Sequence, residues 1–96
     1  SNLFYELDKR GLIVQRQKVL PVRYDGQTLD ESFRIDMLVN DCVIVELKST
    51  ERQQPVYGKQ LLTYLRLSDK RLGLLLNFGM ATMKEGIQRV TNGLPD

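Results

Sequence analysis

The sequence predicts a single α/β domain, a mixed central sheet of about four strands flanked by helices in the order αβββαβ. Three observations carry that expectation. Between Leu12 and Lys48, runs rich in Val, Ile and Leu are broken by turn-forming residues, which reads as a strand meander. After Pro55 the apolar residues recur at helical spacing. From Leu72 to Phe78 the chain is almost continuously apolar, as expected of a strand covered on both faces. With 96 residues, 42% of them hydrophobic, there is material for one core and not for two.

Each element follows from its local signals. Leu3, Phe4, Tyr5 and Leu7 recur at helical spacing up to Arg10, and Gly11 stands where a C-terminal cap glycine belongs. Leu12 to Tyr24 is the first strand, with Asp25-Gly26 as its turn. Phe33 to Val39 and Val43 to Lys48 are the second and third, joined through the turn-prone Asn40-Asp41. A helix is expected from Pro55 to Leu67, with Pro55 in its first turn and Val56, Leu61, Tyr64, Leu65 and Leu67 on its apolar face. It serves as the crossover to the strand at Leu72–Phe78, which is expected beside the third strand. Met80 to Val90 reads equally as a short hairpin turning at Glu85-Gly86 or as an irregular helix.

Composition removes several chemistries. Histidine is absent, which excludes Ser-His and Cys-His hydrolases, imidazole zinc sites and histidine-metal nucleases. Cys42 is the only cysteine, so no intramolecular disulfide forms and a Cys-rich zinc site is excluded. Nothing approaches the ~20 apolar residues of a membrane span, and no basic segment leads an apolar stretch at the start. The expected location is cytoplasmic. A net charge of +2 decides nothing about nucleic acid by itself. Any hydrolytic chemistry must then rest on carboxylates, lysine and a metal.

The second and third strands hold the residues for it. A two-residue connection would mix polar and apolar side chains on both faces. A three-residue connection, Asn40-Asp41-Cys42, pairs Val39 with Val43, Met37 with Val45 and Ile35 with Leu47, making one face wholly apolar. On the other face it sets Asp36 across from Glu46 and Arg34 across from Lys48, with cross-strand Cβ atoms about 5 Å apart. Two carboxylates so close repel unless a proton or cation lies between them. Their oxygens suit Mg²⁺ or Mn²⁺, and Lys48 could orient water or neutralise charge on a phosphate.

Asp36 followed by Glu46-Leu47-Lys48 resembles the D…(D/E)xK signature of the PD-(D/E)XK nucleases, and Gln60 and Tyr64 resemble the QxxxY motif of the RecB-like branch. The stretches YELDKRGL, FRIDMLV, VIVELKS, QLLTYLRL, RLGLLLNFG and GIQRV are similar, in order and spacing, to the GxxExxR family. The resemblance implies a restriction-endonuclease-like core with Asp36, Glu46, Lys48 and Gln60 as catalytic residues, Asp36 and Glu46 as metal ligands and Tyr64 in support. That family carries a first-helix GxxE motif whose glutamate joins the metal site; this sequence begins downstream of it, and Glu6 stands at a different position. The expected unit is therefore one domain over residues 1–96 with a shortened first helix.

Plainer readings compete. A Glu-x-Lys on a strand is more often a solvated face than a site, and Asp36, Gln60 and Tyr64 together tip the balance toward chemistry. Tyr64 is also a natural core-edge ring. Arg34, Lys59 and Arg66, with Lys84 and Arg89, are either phosphate contacts or solubilising charges. The expected partner is nucleic acid, DNA first, with no membrane. A shortened first helix could leave an apolar patch that pairs two copies as a homodimer. The alternative function is a catalytically impaired domain that binds nucleic acid or a protein.

Overall fold

The structure, a computed structural model, describes residues 2–93. Eight elements follow one another: α1 (Asn2–Lys9), β1 (Val14–Tyr24), β2 (Gln27–Val39), β3 (Val43–Lys48), α2 (Pro55–Ser68), β4 (Leu72–Asn77), α3 (Met83–Gly86) and β5 (Ile87–Thr91). The five strands form one sheet in the order β1-β2-β3-β4-β5. Every neighbouring pair is antiparallel except β3 and β4, which run parallel with α2 as the connection between them. This is the mixed α/β architecture the sequence predicts, with one strand more than expected. The open choice over Met80–Val90 resolves into a single turn of helix, capped by the Thr82 side chain on the Glu85 amide, followed by β5.

Turn chemistry sets the meander. Asp25 and Gly26 both adopt positive φ, 53° and 75°, so a two-residue turn joins β1 to β2. The second turn uses Asn40 and Asp41 at φ 50° and 56°, and the Asn40 side chain accepts from the Ile13 amide at 2.9 Å, which ties the turn to the start of β1. The connection has the three residues expected: Val39 pairs with Val43, Leu38 with Ile44 and Met37 with Val45.

Two apolar layers sandwich the sheet. Leu61 and Leu65 of α2 pack on Leu20, Ile35, Leu38, Ile44 and Leu75 of the sheet, with Phe33, Tyr57, Tyr64 and Val90 against them. On the opposite face Met37, Val39 and Val45 pack with Leu3, Phe4 and Leu7 of α1 and with Leu47, Leu74 and Leu76. Gly73 is what lets α2 settle onto β4, because a Cβ there would stand 2.8 Å from a Leu61 methyl in the fully buried core. β4 is shielded on both sides as its apolar run predicts, more completely on the α2 side. Val56, expected on the apolar face of α2, is instead 57% exposed, and Tyr57 takes its place against the core. No helix among the described residues is long and apolar enough to cross a membrane.

The predicted alternation of β2 needs a correction. Ile35 packs with Leu38 beneath α2, whereas Met37 and Val39 face α1, so the strand changes phase at Asp36. Across β1 the ladder skips the same point: Lys18 pairs with Ile35 and Arg16 with Met37, while Gln17 between them adopts φ 48°. The expected facing pairs Ile35–Leu47 and Arg34–Lys48 therefore do not form, and the β2–β3 ladder ends at Met37–Val45.

Candidate active site

Beyond Met37 and Val45 the two strands no longer bond backbone to backbone. Carboxylates take over. The Asp36 amide donates to Glu46 Oε2 at 2.9 Å, and the Leu47 amide donates to Asp36 Oδ2 at 2.8 Å. Each acid caps a peptide N–H that the interrupted ladder would otherwise leave unpaired, so the pair is built into the fork rather than laid on its surface. The two acids converge as predicted, through reciprocal side-chain bonds rather than as a regular facing pair. The two carboxyls also lie within hydrogen-bonding reach of each other, which helps to hold a proton on Glu46.

Glu46 is buried, 6% exposed, and burial is the main reason its pKa rises to about 7, with the Asp36 carboxyl beside it adding to the rise. Lys48 pulls the other way without offsetting it. Tyr64 on α2 is raised as well, first by burial and then by the charges of Glu46 and Asp36, which places its phenol within the field of the acid pair. Its ring stacks on Phe33 at 4.9 Å between centroids.

Lys48 lies on the same face of β3 as Glu46, one residue pair further along. Among the described residues its ammonium forms no ion pair with either acid; it donates to Gln60 Oε1 at 3.5 Å and sits 4.9 Å from the centroid of the Tyr57 ring. Asp36, Glu46, Lys48, Gln60 and Tyr64 are thus gathered where the β2–β3 fork opens beneath α2.

The basic candidates are dispersed. Arg34, between Phe33 and Ile35 on β2, points to the face away from α2. Lys59 lines an open groove between α2 and β5 with Gly58, Leu62, Gln88 and Arg89. Arg66 borders a cavity of about 290 Å³ closed by Arg23, Tyr24, Asp25, Gly26 and Asp69 at the far end of the β1–β2 hairpin. Arg34, Lys59 and Arg66 do not share one surface.

Sequence reasoning missed Tyr57, Thr50 and Asn77. Asn77 is fully buried at the end of β4; it accepts from the Thr50 and Gly79 amides, both at 3.0 Å, and donates to Thr50 Oγ1 at 2.9 Å and Gln53 Oε1 at 3.0 Å. The one available signal was a polar residue interrupting the apolar run at its end.

The donor set suits a hard divalent cation. Two acids share one spot, and burial together with the neighbouring carboxyl raises the pKa of one of them to about 7, a proton affinity that a divalent cation would relieve. Among the described residues no third acid, histidine or cysteine joins them.

A family model described as the PD-(D/E)XK nuclease superfamily matches residues 1–90. The chain belongs to the PD-(D/E)XK nuclease superfamily. Nucleases of that superfamily generally use divalent metals and act on nucleic acid. The crystal structure of SSO0001 is similar in fold to this PD-(D/E)XK domain, with a TM-score of 0.67 at 15% sequence identity over 98% of this chain. The chain spans 48% of that neighbour's length. No curated protein matches it in sequence.

Proposed function

We propose that this domain hydrolyses phosphodiester bonds in nucleic acid, with Asp36 and Glu46 holding Mg²⁺ or Mn²⁺, Lys48 as the general electrostatic group and Gln60 holding Lys48 in place. The observation that carries the reading is the acid pair at the β2–β3 fork, anchored by reciprocal backbone bonds, whose buried member holds a proton that a divalent cation would displace. Bound there, a divalent cation supplies Lewis-acid polarisation of a phosphate oxygen and a more acidic water. The chain's own part is preorganisation. Asp36 and Glu46 are each held by a main-chain donor before any cation arrives. The Lys48 ammonium, steered by Gln60 and Tyr57, stands where it can donate to an attacking water or to the charge growing on non-bridging oxygens. Within the superfamily, the motif around Asp36, Glu46, Lys48, Gln60 and Tyr64 supports placement with the GxxExxR proteins and the RecB-like branch. DNA is the first substrate to try.

The test is direct. Purified protein is incubated with single- and double-stranded DNA and RNA, with Mn²⁺, Mg²⁺ or EDTA, beside the Lys48→Ala variant. The expected outcome is metal-dependent cleavage that falls on the order of 100-fold in Lys48→Ala. No cleavage of any substrate, together with no Mn²⁺ binding by calorimetry, overturns the reading. A mobility shift that persists in EDTA and ignores Asp36→Asn assigns the domain to binding instead.

A further inference from the structure

Among the described residues the Lys48 ammonium forms no ion pair with a carboxylate, yet two groups fix its position. Its Nζ lies 4.9 Å from the Tyr57 ring centroid and donates to Gln60 Oε1. A lysine side chain otherwise samples many rotamers, and its ammonium is a compact charge with no fixed direction. Something must hold the ring that holds it.

That support is present in full. The Tyr57 hydroxyl donates to Thr50 Oγ1 at 3.3 Å. Thr50 Oγ1 spends its own proton on the Arg52 carbonyl at 2.8 Å and uses its second lone pair for Asn77 Nδ2. Asn77 has all four side-chain valences occupied, two of them on Thr50. The same end of β4 fixes the Lys48 main chain, because Asn77 pairs with Lys48 and the Phe78 amide donates to the Lys48 carbonyl at 2.8 Å. Both the backbone of Lys48 and the ring under its ammonium thus hang from one buried asparagine. The half-buried Tyr57 hydroxyl needs one partner, and the partner it has is itself held by Asn77 and by its bond to the Arg52 carbonyl.

We propose that Tyr57 is a positioning residue for Lys48, its ring seating the ammonium by a cation–π contact and its hydroxyl anchored through Thr50 to the buried Asn77. The proposal rests on the reading of Lys48 as the electrostatic group of the site, and its test separates the two.

The test uses the full chain with ¹³C-ε-labelled lysine. In the wild type the Lys48 ε-methylene protons are expected upfield of the ε-methylenes of the remaining lysines, through the ring current, with an Overhauser contact to the Tyr57 ring. In Tyr57→Leu both vanish. Tyr57→Phe and Thr50→Val keep the ring and lose the anchor, so the contact remains and the displacement shrinks. With cleavage as the second readout, Tyr57→Leu is expected to lower kcat about tenfold with KM nearly constant, and Tyr57→Phe to restore most of it. Lys48 signals that coincide in wild type and Tyr57→Leu overturn the proposal. If Tyr57→Leu does not fold, unchanged displacement in both Tyr57→Phe and Thr50→Val overturns it. A wild type that shows the displaced signal but neither cuts any substrate nor binds Mn²⁺ removes the nuclease reading and keeps the seat.

Discussion

At the scale of single residues, Glu46 carries the clearest solution behaviour. Its folded-state pKa of about 7 lies above the ordinary carboxyl value of 4.5, so the folded protein binds this proton more tightly than the unfolded chain does. Stability from this group is complete at acid pH, falls as pH rises between those two values, and is lost above the higher one. In EDTA, the wild-type unfolding free energy is expected to drop from pH 5 to pH 8 relative to Glu46→Gln, by at most about 1.4 kcal/mol per pH unit. Glutamine keeps the oxygen that accepts from the Asp36 amide and removes the charge. Parallel pH profiles for the two proteins, followed by circular dichroism, would show that burial does not strain this acid. The neighbourhood of Glu46 was readable from residue letters because Asp, Glu and Lys occur at strand spacing. Tyr57 was not, since a ring beneath an ammonium depends on where α2 lands and not on any spacing within it.

At the scale of elements, the seating of α2 on β4 makes a quantitative prediction. Gly73→Ala puts a methyl into the Leu61 head group in a fully packed layer, and is expected to cost about 1–3 kcal/mol by overpacking. Leu61→Ala alone is expected to cost about 2–5 kcal/mol through the cavity it leaves. The double variant should be more stable than the sum implies, because each change relieves the other's fault. Urea titration of the four proteins checks this; strict additivity would mean that the two side chains do not meet. The same elements show what a sequence can disclose. The β2–β3 register was legible because only one loop length left an apolar face, and it is the register found over Met37–Val39. The end of that ladder was not legible, since a carboxylate bonding to a main-chain amide leaves no trace in periodicity. Residues 27–32 of β2 were missed because both of their faces meet solvent, so no alternation marks them. β5 stayed undecided between hairpin and helix for a similar reason: Ile87 to Arg89 are exposed, and only the hydrogen bonds to β4 make the segment a strand.

At the scale of the molecule, dimensions of 41 × 31 × 25 Å reflect a sheet of unequal strands. β1 and β2 run 11 and 13 residues, whereas β3, β4 and β5 run 6, 6 and 5. The hairpin overhangs the layered body. Amides from Val22 to Glu31 lie outside both apolar layers and are expected to exchange at least about tenfold faster than those of β3 and β4. Hydrogen exchange followed by mass spectrometry measures the difference, and equal protection along β2 would mean that the overhang is held by the body.

The interrupted ladder has one more consequence. Zipping β2 and β3 to their ends would put regular ladder bonds where the two acids now bond main-chain amides, so the open fork is kept at some cost in stability. Screening variants for heat resistance alone should therefore enrich changes that close this fork, and under the proposed nuclease function selection for cutting should reverse them.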